Sequence, residues 1–216
     1  MEWKFSQKPI LYSDAIMQME KRVNDIINDY ADELIWFLEH PSVITGGTSA
    51  KADDLLNKDL FPVHMTGRGG QYTYHGPGQQ VVYLMLNLEK RKMMDIKKYV
   101  LMLENWIISC LKKFSIEGYI RKGRIGVWVP TSKTQEDKIA AIGVRVKKWV
   151  TYHGIALNIC PDLSHFNVIN PCGIQNTQTQ TYGVTSLKAL GKNISTKEVQ
   201  KTMIKELKSA LQATDI

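Results

Sequence analysis

The chain has 216 residues, of which 44% are hydrophobic and 23% charged, a composition typical of a single globular domain over 1–216 rather than of a disordered or fibrous chain. Three scattered cysteines, no apolar run near the ~20 residues that span a bilayer and no signal-peptide pattern argue against a secreted or membrane protein, and we expect a cytoplasmic one. The net charge of +7 is carried by short pairs such as Lys97-Lys98 without interleaved aromatic residues, which favours an acidic protein partner over nucleic acid.

The apolar pattern predicts helices and strands in alternation. Helical spacing extends over 14–30, and buried strands are predicted over 33–38 and 80–86. A helix beginning near Asp95 carries apolar residues on one face: Ile96, Val100, Leu103, Ile107, Cys110, Leu111 and Phe114. A strand over 125–129 precedes a hairpin of 138–146 and 150–159, the polar segment 175–183 reads as a loop, and Ser195 caps a last amphipathic helix. The predicted fold class is mixed α/β.

The densest unusual segment lies over 66–79, which holds five glycines, an arginine, a histidine and two tyrosines. A glycine-rich hairpin and a ligand-binding loop are both consistent with it. The segment is not a dinucleotide fingerprint, because no acidic residue on a following βαβ unit supports it, and the chain has no P-loop motif.

Cys172 and Lys138 are candidate reactive residues. Cys172 follows Asn170-Pro171 and precedes Gly173, a pattern that predicts a turn presenting the thiol, either as a nucleophile or as an incidental loop cysteine. Cys110 is predicted to be a core residue, and Cys160 to be buried at a strand end. Lys138 has the same strand parity as Ala140 and is predicted to face inward with it, although the first residue of a strand can also lie at the surface.

Other reaction classes lack their motifs. The five histidines form no H-E-x-x-H pattern and there is no C-x-x-C, so no metal site is predicted. A serine hydrolase is disfavoured because the chain has no G-x-S-x-G.

Four ordered motifs, from about residue 33 to about residue 187, make the chain resemble the lipoyl(octanoyl) transferases. They are Arg68-Gly69-Gly70-Gln71-x-Thr73-Tyr74-His75-Gly76-Pro77-Gly78-Gln79, Lys138-Ile139-Ala140-Ala141-Ile142-Gly143-Val144, Tyr152-His153-Gly154-Ile155-Ala156-Leu157-Asn158 and Asn170-Pro171-Cys172-Gly173. The resemblance implies an acyltransferase that moves an octanoyl or lipoyl group from acyl carrier protein to a lysine of lipoyl domains, in 2-oxo-acid dehydrogenases and the glycine cleavage H protein. It also implies a single α/β domain shared with biotin and lipoate protein ligases, and no cofactor.

The resemblance further assigns site residues. Cys172 becomes the acyl-thioester nucleophile and Lys138 the residue that activates it. The implied acyl pocket consists of Arg68, Gly69, Gly70, Gln71, Tyr72, Thr73, Tyr74, His75, Ala141, Ile142, Gly143, Gly154, Ile155 and Ala156. The chain departs from the family in a segment 174–183 that is a few residues longer than usual. The alternatives are an ATP-dependent lipoate or biotin ligase of the same fold, which needs no cysteine, and a basic module that only binds acyl carrier protein.

Overall fold

A computed structural model describes residues 1–170 and 181–212. Over these residues the helices are α1 (Tyr12–Ile27), α2 (Ile96–Lys113) and α3 (Thr196–Gln212), with short 3₁₀ helices at Ala52–Asp54 and Leu163–Val168. The strands are β1 (Glu2–Phe5), β2 (Leu34–Leu38), β3 (Val43–Gly46), β4 (Val63–Met65), β5 (Tyr72–His75), β6 (Gln79–Met85), β7 (Tyr119–Arg121), β8 (Arg124–Pro130), β9 (Gln135–Lys147), β10 (Val150–Asn158) and β11 (Thr181–Val184). The predicted mixed α/β class is confirmed. Across this described part of the chain, no helix has the length and apolar character needed to cross a membrane.

Most strands belong to one large mixed sheet. Its order is β1-β2-β6-β10-β9-β8-β7, and β11 pairs in parallel with the first residues of β9. A small second sheet has the order β4-β3-β5. The predicted β9–β10 hairpin is confirmed, and its turn residues Lys148 and Trp149 have φ of 47° and 61°, the left-handed conformation that a two-residue hairpin turn requires.

Both faces of the large sheet are covered by helices, which explains the uninterrupted apolar runs of β2 and β6. On β2, Ile35 and Phe37 belong to the core beneath α2 and α3, whereas Trp36 and Leu38 belong to the core beneath α1. A strand buried on both sides needs no polar face, so it loses the alternation of a half-exposed strand.

The predicted start of α2 near Asp95 and the predicted cap of α3 at Ser195 are both confirmed. The Asp95 carboxylate accepts hydrogen bonds from the backbone N–H groups of Lys97 and Lys98, at 2.9 and 3.1 Å. The Ser195 hydroxyl accepts one from the backbone N–H of Glu198 at 3.3 Å. The predicted inward face of α3 is confirmed, but Ile96 of α2 remains 46% exposed instead of packing inward.

Two other predictions are wrong. Residues 181–183 of the predicted polar loop belong to β11, which pairs with β9 because β10 has already ended opposite Ala140 and leaves the edge of 135–138 open. Residues 175–180 of that loop lie outside the described part. Cys160 is exposed rather than buried, because β10 ends at Asn158 and the chain leaves the sheet there.

Candidate active site

A β-bulge at Ile139 determines which face of the sheet carries Lys138. Lys138 lies opposite Trp128 of β8, whereas Ala140 lies opposite Val127, so Ile139 is an extra residue in the pairing. Because one extra residue reverses the alternation, Lys138 points to the face opposite that of Ala140. The predicted parity of Lys138 was therefore wrong, since it assumed unbroken alternation. The side chain is nevertheless half-buried and lines a cavity.

That cavity has a volume of about 410 Å³, within the ~300–1,000 Å³ typical of small-ligand sites. Besides Lys138, its walls include these residues of the predicted acyl pocket: Arg68, Gly69, Gly70, Gln71, Tyr72, Thr73, His75, Ala141, Ile142, Gly143, Gly154, Ile155 and Ala156. Three of the four sequence motifs thus meet at one cavity.

Tyr74 is the member of the predicted pocket that does not line the cavity. Its ring packs edge-on against Phe166, and its hydroxyl shares hydrogen bonds with Ser42 at 2.9 Å and with Nδ1 of His165 at 2.8 Å. Tyr74 therefore supports the small sheet and the 3₁₀ helix Leu163–Val168 from behind the cavity wall.

Arg68 holds the glycine-rich loop in shape. Its guanidinium is buried and donates hydrogen bonds to the carbonyl oxygens of Thr45, Gly69 and Gln71, at 2.7, 2.9 and 3.0 Å. Burial lowers the pKa of Arg68, yet a guanidinium stays charged at neutral pH. The loop is thus built around a buried cation that satisfies carbonyl groups next to the cavity.

Close backbone approach explains two glycines of the cavity wall. A Cβ on Gly143 would lie 3.1 Å from both Cδ of Arg68 and the carbonyl oxygen of Gly69, and a Cβ on Gly154 would lie 2.2 Å from the carbonyl oxygen of Val82. The backbone N–H of Gly69 also donates to the carbonyl of Val144 at 3.0 Å. Glycine at position 143 lets the loop lie directly on β9, and glycine at position 154 lets β10 lie close against β6.

Three buried histidines form a neutral cluster beside Arg68. Burial lowers the pKa of His40 to about 4, and that of His75 and His153 to about 3, with the Arg68 charge adding to the effect at His75 and His153. His40 is fixed by the carbonyl of Ile10 at 2.6 Å and by the Tyr83 hydroxyl at 2.7 Å. At neutral pH the three imidazoles are therefore uncharged, including the two that lie near Arg68.

This cluster predicts acid sensitivity. A histidine whose pKa is lower in the folded state contributes stability above its unfolded pKa of ~6.5, and that stability is lost as pH falls toward 3–4. We expect each histidine to lower the free energy of unfolding by ~2 kcal/mol between pH 7.5 and pH 5. Urea unfolding at several pH values measures how steeply the free energy of unfolding changes with pH. This dependence should be weaker in His75→Asn, which has one buried histidine fewer. A free energy of unfolding that stays constant from pH 7.5 to pH 5 would contradict the buried neutral state.

Behind Lys138, the sequence interpretation missed Glu104 and Gly126. Glu104 of α2 is buried, its carboxylate accepts the backbone N–H of Gly126 at 3.0 Å, and burial raises its pKa while the charge of Lys138 acts in the opposite direction. The ammonium of Lys138 lies 4.9 Å from the centre of the Trp128 ring. The sequence contained a signal for both missed residues. Glu104 is a glutamate on the apolar face of a predicted helix, and Gly126 is an isolated glycine inside a predicted strand.

Gly126 makes room for Lys138. It has φ of 120°, and a Cβ there would lie 2.6 Å from the carbonyl oxygen of Ala140 and 3.2 Å from Cε of Lys138. We expect Gly126→Ala to destabilise the protein by about 1–3 kcal/mol, to displace the lysine and to reduce turnover at least tenfold. Gly191→Ala is the matched control, because Gly191 has φ of 75° and nothing within 4 Å of its Cβ position. Thermal melting measures the loss of stability from backbone strain, and the turnover rate measures the effect of displacing Lys138. Equal turnover in the two variants would contradict the role of Gly126 in positioning Lys138.

The fourth motif is described only up to Asn170. The backbone N–H of Asn170 donates to the carbonyl of Asp54 at 2.8 Å, and its side-chain amide donates to the Asp54 carboxylate at 3.2 Å. Cys172 and its predicted turn lie outside the described residues. Among the residues that are described, no three histidine, cysteine or acidic side chains are grouped to hold a metal ion.

Comparison with known proteins identifies the family. Residues 12–208 match the model of the lipoyl protein ligase A/B catalytic domain. The chain is 52% identical to an octanoyltransferase from Wolbachia pipientis wMel, over 95% of this chain and 97% of the relative, and 53% identical to one from Neorickettsia sennetsu, over 88% and 89%. The chain belongs to the octanoyltransferase family.

Solved structures confirm the predicted relation to ligases at the level of the fold. A bi-partite lipoate protein ligase from Thermoplasma acidophilum superposes with a TM-score of 0.69 at 14% identity, covering 98% of this chain and 83% of that chain. The biotin protein ligase from Aquifex aeolicus has a TM-score of 0.52 at 11% identity, covering 100% and 71%. In this octanoyltransferase family member, therefore, the cavity and Lys138 lie on the shared ligase fold.

Proposed function

We propose that the protein transfers an octanoyl group from acyl carrier protein to a lysine of lipoyl domains, through a thioester on Cys172 that Lys138 activates. The acceptors are the lipoyl domains of 2-oxo-acid dehydrogenases and the glycine cleavage H protein, and the reaction is the first step of endogenous lipoate synthesis in the cytoplasm. The observation that carries the proposal is about 50% identity to octanoyltransferases over nearly the whole chain.

The cavity supports this activity because its walls suit an acyl chain. Ile142, Ile155 and Ala156 give it apolar surface, and the glycines of the loop permit close approach of the backbone. Lys138 places a cation on the same cavity, where it would favour the thiolate of a nearby cysteine.

In the first half-reaction, the Cys172 thiolate attacks the carbonyl carbon of the carrier's thioester. A carbon–sulfur bond forms to Cys172 and the bond to the carrier sulfur breaks. The carrier leaves as a thiolate and takes the proton of the Lys138 ammonium, which becomes a neutral amine. One thioester replaces another, so the step needs no external energy source.

In the second half-reaction, the neutral amine of the acceptor lysine attacks the acyl-enzyme. Lys138 accepts the proton that the attacking nitrogen must lose, and Cys172 leaves as a thiolate while the amide forms. The thiolate and ammonium are thereby restored for the next cycle. The same lysine serves both steps because the first step leaves it as the neutral amine that the second step requires, and the second step leaves it as the ammonium that the first step requires.

The competing function is an ATP-dependent ligase, which activates a free acid and needs no cysteine. Intact mass after mixing the protein with octanoyl acyl carrier protein, without nucleotide, separates the two functions. We expect an adduct of one octanoyl group that a lipoyl domain then discharges. No adduct from the carrier, together with ATP-dependent loading of free octanoate onto the lipoyl domain, would overturn the proposal in favour of the ligase.

A further inference from the structure

The cavity opens beside a small surface that is both apolar and basic, which we call the entrance rim and define as Ile96, Lys97, Lys122 and Ile125. Ile96 and Ile125 line the cavity but remain 46% and 56% exposed. Lys97 belongs to the first turn of α2 and Lys122 to the turn between β7 and β8, and both are exposed. The rim therefore has two sides, one from the helix and one from the sheet.

The hydrogen bond between Glu104 and Gly126 joins these two sides. It ties α2 to β8 next to Ile125, about two helical turns from Ile96. Gly123 and Arg124 line the cavity together with Ile96 and Val100, so the first half of α2 runs along the start of β8. Because Lys138 packs over Gly126, the rim leads directly to the proposed catalytic lysine.

The nearby carboxylates offset only part of the positive charge of the rim. Asp95 is engaged as the cap of α2, and Glu136 is engaged by Arg121 and by Arg124 at 3.1 Å. Lys97, Lys122, Arg121 and Arg124 carry four positive charges against the two negative charges of Asp95 and Glu136, which leaves a net positive charge around the two exposed isoleucines. Such a surface fits an acidic partner that delivers an apolar group.

We propose that the entrance rim is the docking surface for the acyl carrier protein, which presents an acidic face to it. This inference rests on the proposed function. Of the two macromolecules that the reaction uses, the donor is the better match, because it brings an acyl chain that the isoleucines can contact on its way into the cavity. The acceptor brings a lysine side chain and no acyl chain, so it offers the two isoleucines no comparable apolar group to contact.

The two half-reactions allow a direct test. The variant Lys97→Glu with Lys122→Glu reverses one charge on each side of the rim, and Lys201→Glu with Lys205→Glu on exposed positions of α3 is the matched control. Acylation is measured with octanoyl acyl carrier protein and with octanoyl-N-acetylcysteamine, a small thioester without a protein. Transfer to a lipoyl domain is measured separately, after loading with the small thioester.

We expect the rim variant to raise KM for the octanoyl carrier about tenfold or more, while its acylation by the small thioester and its transfer to the lipoyl domain change less than about twofold. Added salt should raise KM for the carrier in the parent protein and in the control, but much less in the rim variant. An unchanged KM for the carrier would overturn the inference. Slower transfer to the lipoyl domain with normal acylation would overturn it in favour of the acceptor. If neither donor acylates the parent protein, the proposed function fails, and the docking surface with it.

Discussion

Replacing Cys172 by serine is expected to abolish acyl-enzyme formation and to reduce octanoyl transfer by about 10³-fold or more. A cysteine near pKa ~8.5 is a few per cent thiolate at neutral pH, and an adjacent ammonium raises that fraction, whereas a serine hydroxyl has no comparable anionic form. The measurement is intact mass after exposure to octanoyl acyl carrier protein, followed by the rate of transfer to a lipoyl domain.

The other two cysteines provide controls of opposite kind. Cys160 is exposed, so Cys160→Ser should leave stability within about 0.5 kcal/mol of the parent and leave the adduct intact. Cys110 is fully buried and burial raises the pKa of its thiol, which makes it a poor nucleophile. Cys110→Ser should cost about 1–3 kcal/mol of stability through a buried hydroxyl, yet still form the adduct. An octanoyl adduct that survives in Cys172→Ser and disappears in Cys160→Ser would move the nucleophile to Cys160.

The elements that the sequence predicted well are those fixed by local pattern. Examples are the apolar spacing of α1 and α3, the start of α2 near Asp95 and the apolar runs of β2 and β6. In each of them, residues that are neighbours in the sequence meet the requirement together. Strands set by distant pairing were missed. β1 has only four residues and depends on β2, and β11 exists because β9 extends beyond the end of β10.

The site shows the same division. The residues that the resemblance assigned to the acyl pocket line one cavity, with Tyr74 as the exception, and three of the four motifs contribute them. The sequence did not predict the face of the sheet on which Lys138 lies. The bulge at Ile139 leaves the apolar alternation intact on either side, so it is visible only from the pairing of β9 with β8. Glu104 and the exposed Ile96 depend on how α2 meets β8, a tertiary contact that periodicity along one helix does not contain.

Removing the ammonium of Lys138 is expected to raise the alkylation pKa of Cys172 by about 1–2 units and to slow self-acylation about 10- to 100-fold. Lys138→Met is the sharpest variant, because it keeps an aliphatic chain against Gly126 and the Trp128 ring while deleting the charge. Lys133→Ala is the matched control, since Lys133 is an exposed lysine in the preceding turn. The pH dependence of iodoacetamide alkylation at Cys172 measures the effect directly.

Lys138→Arg separates charge from proton transfer. An arginine keeps a positive charge but exchanges no proton at neutral pH. It can therefore favour the thiolate, while the departing carrier thiolate takes its proton from solvent, but it cannot accept a proton from the acceptor lysine. We expect this variant to self-acylate within about tenfold of the parent rate and to pass the octanoyl group to a lipoyl domain at least about 10²-fold more slowly. If Lys138→Arg loses both half-reactions while its melting temperature is unchanged, the planar guanidinium cannot occupy the space over Gly126. If Lys138→Met retains the parent alkylation pKa and full transfer, Lys138 only packs against Trp128, and another residue must act as the base.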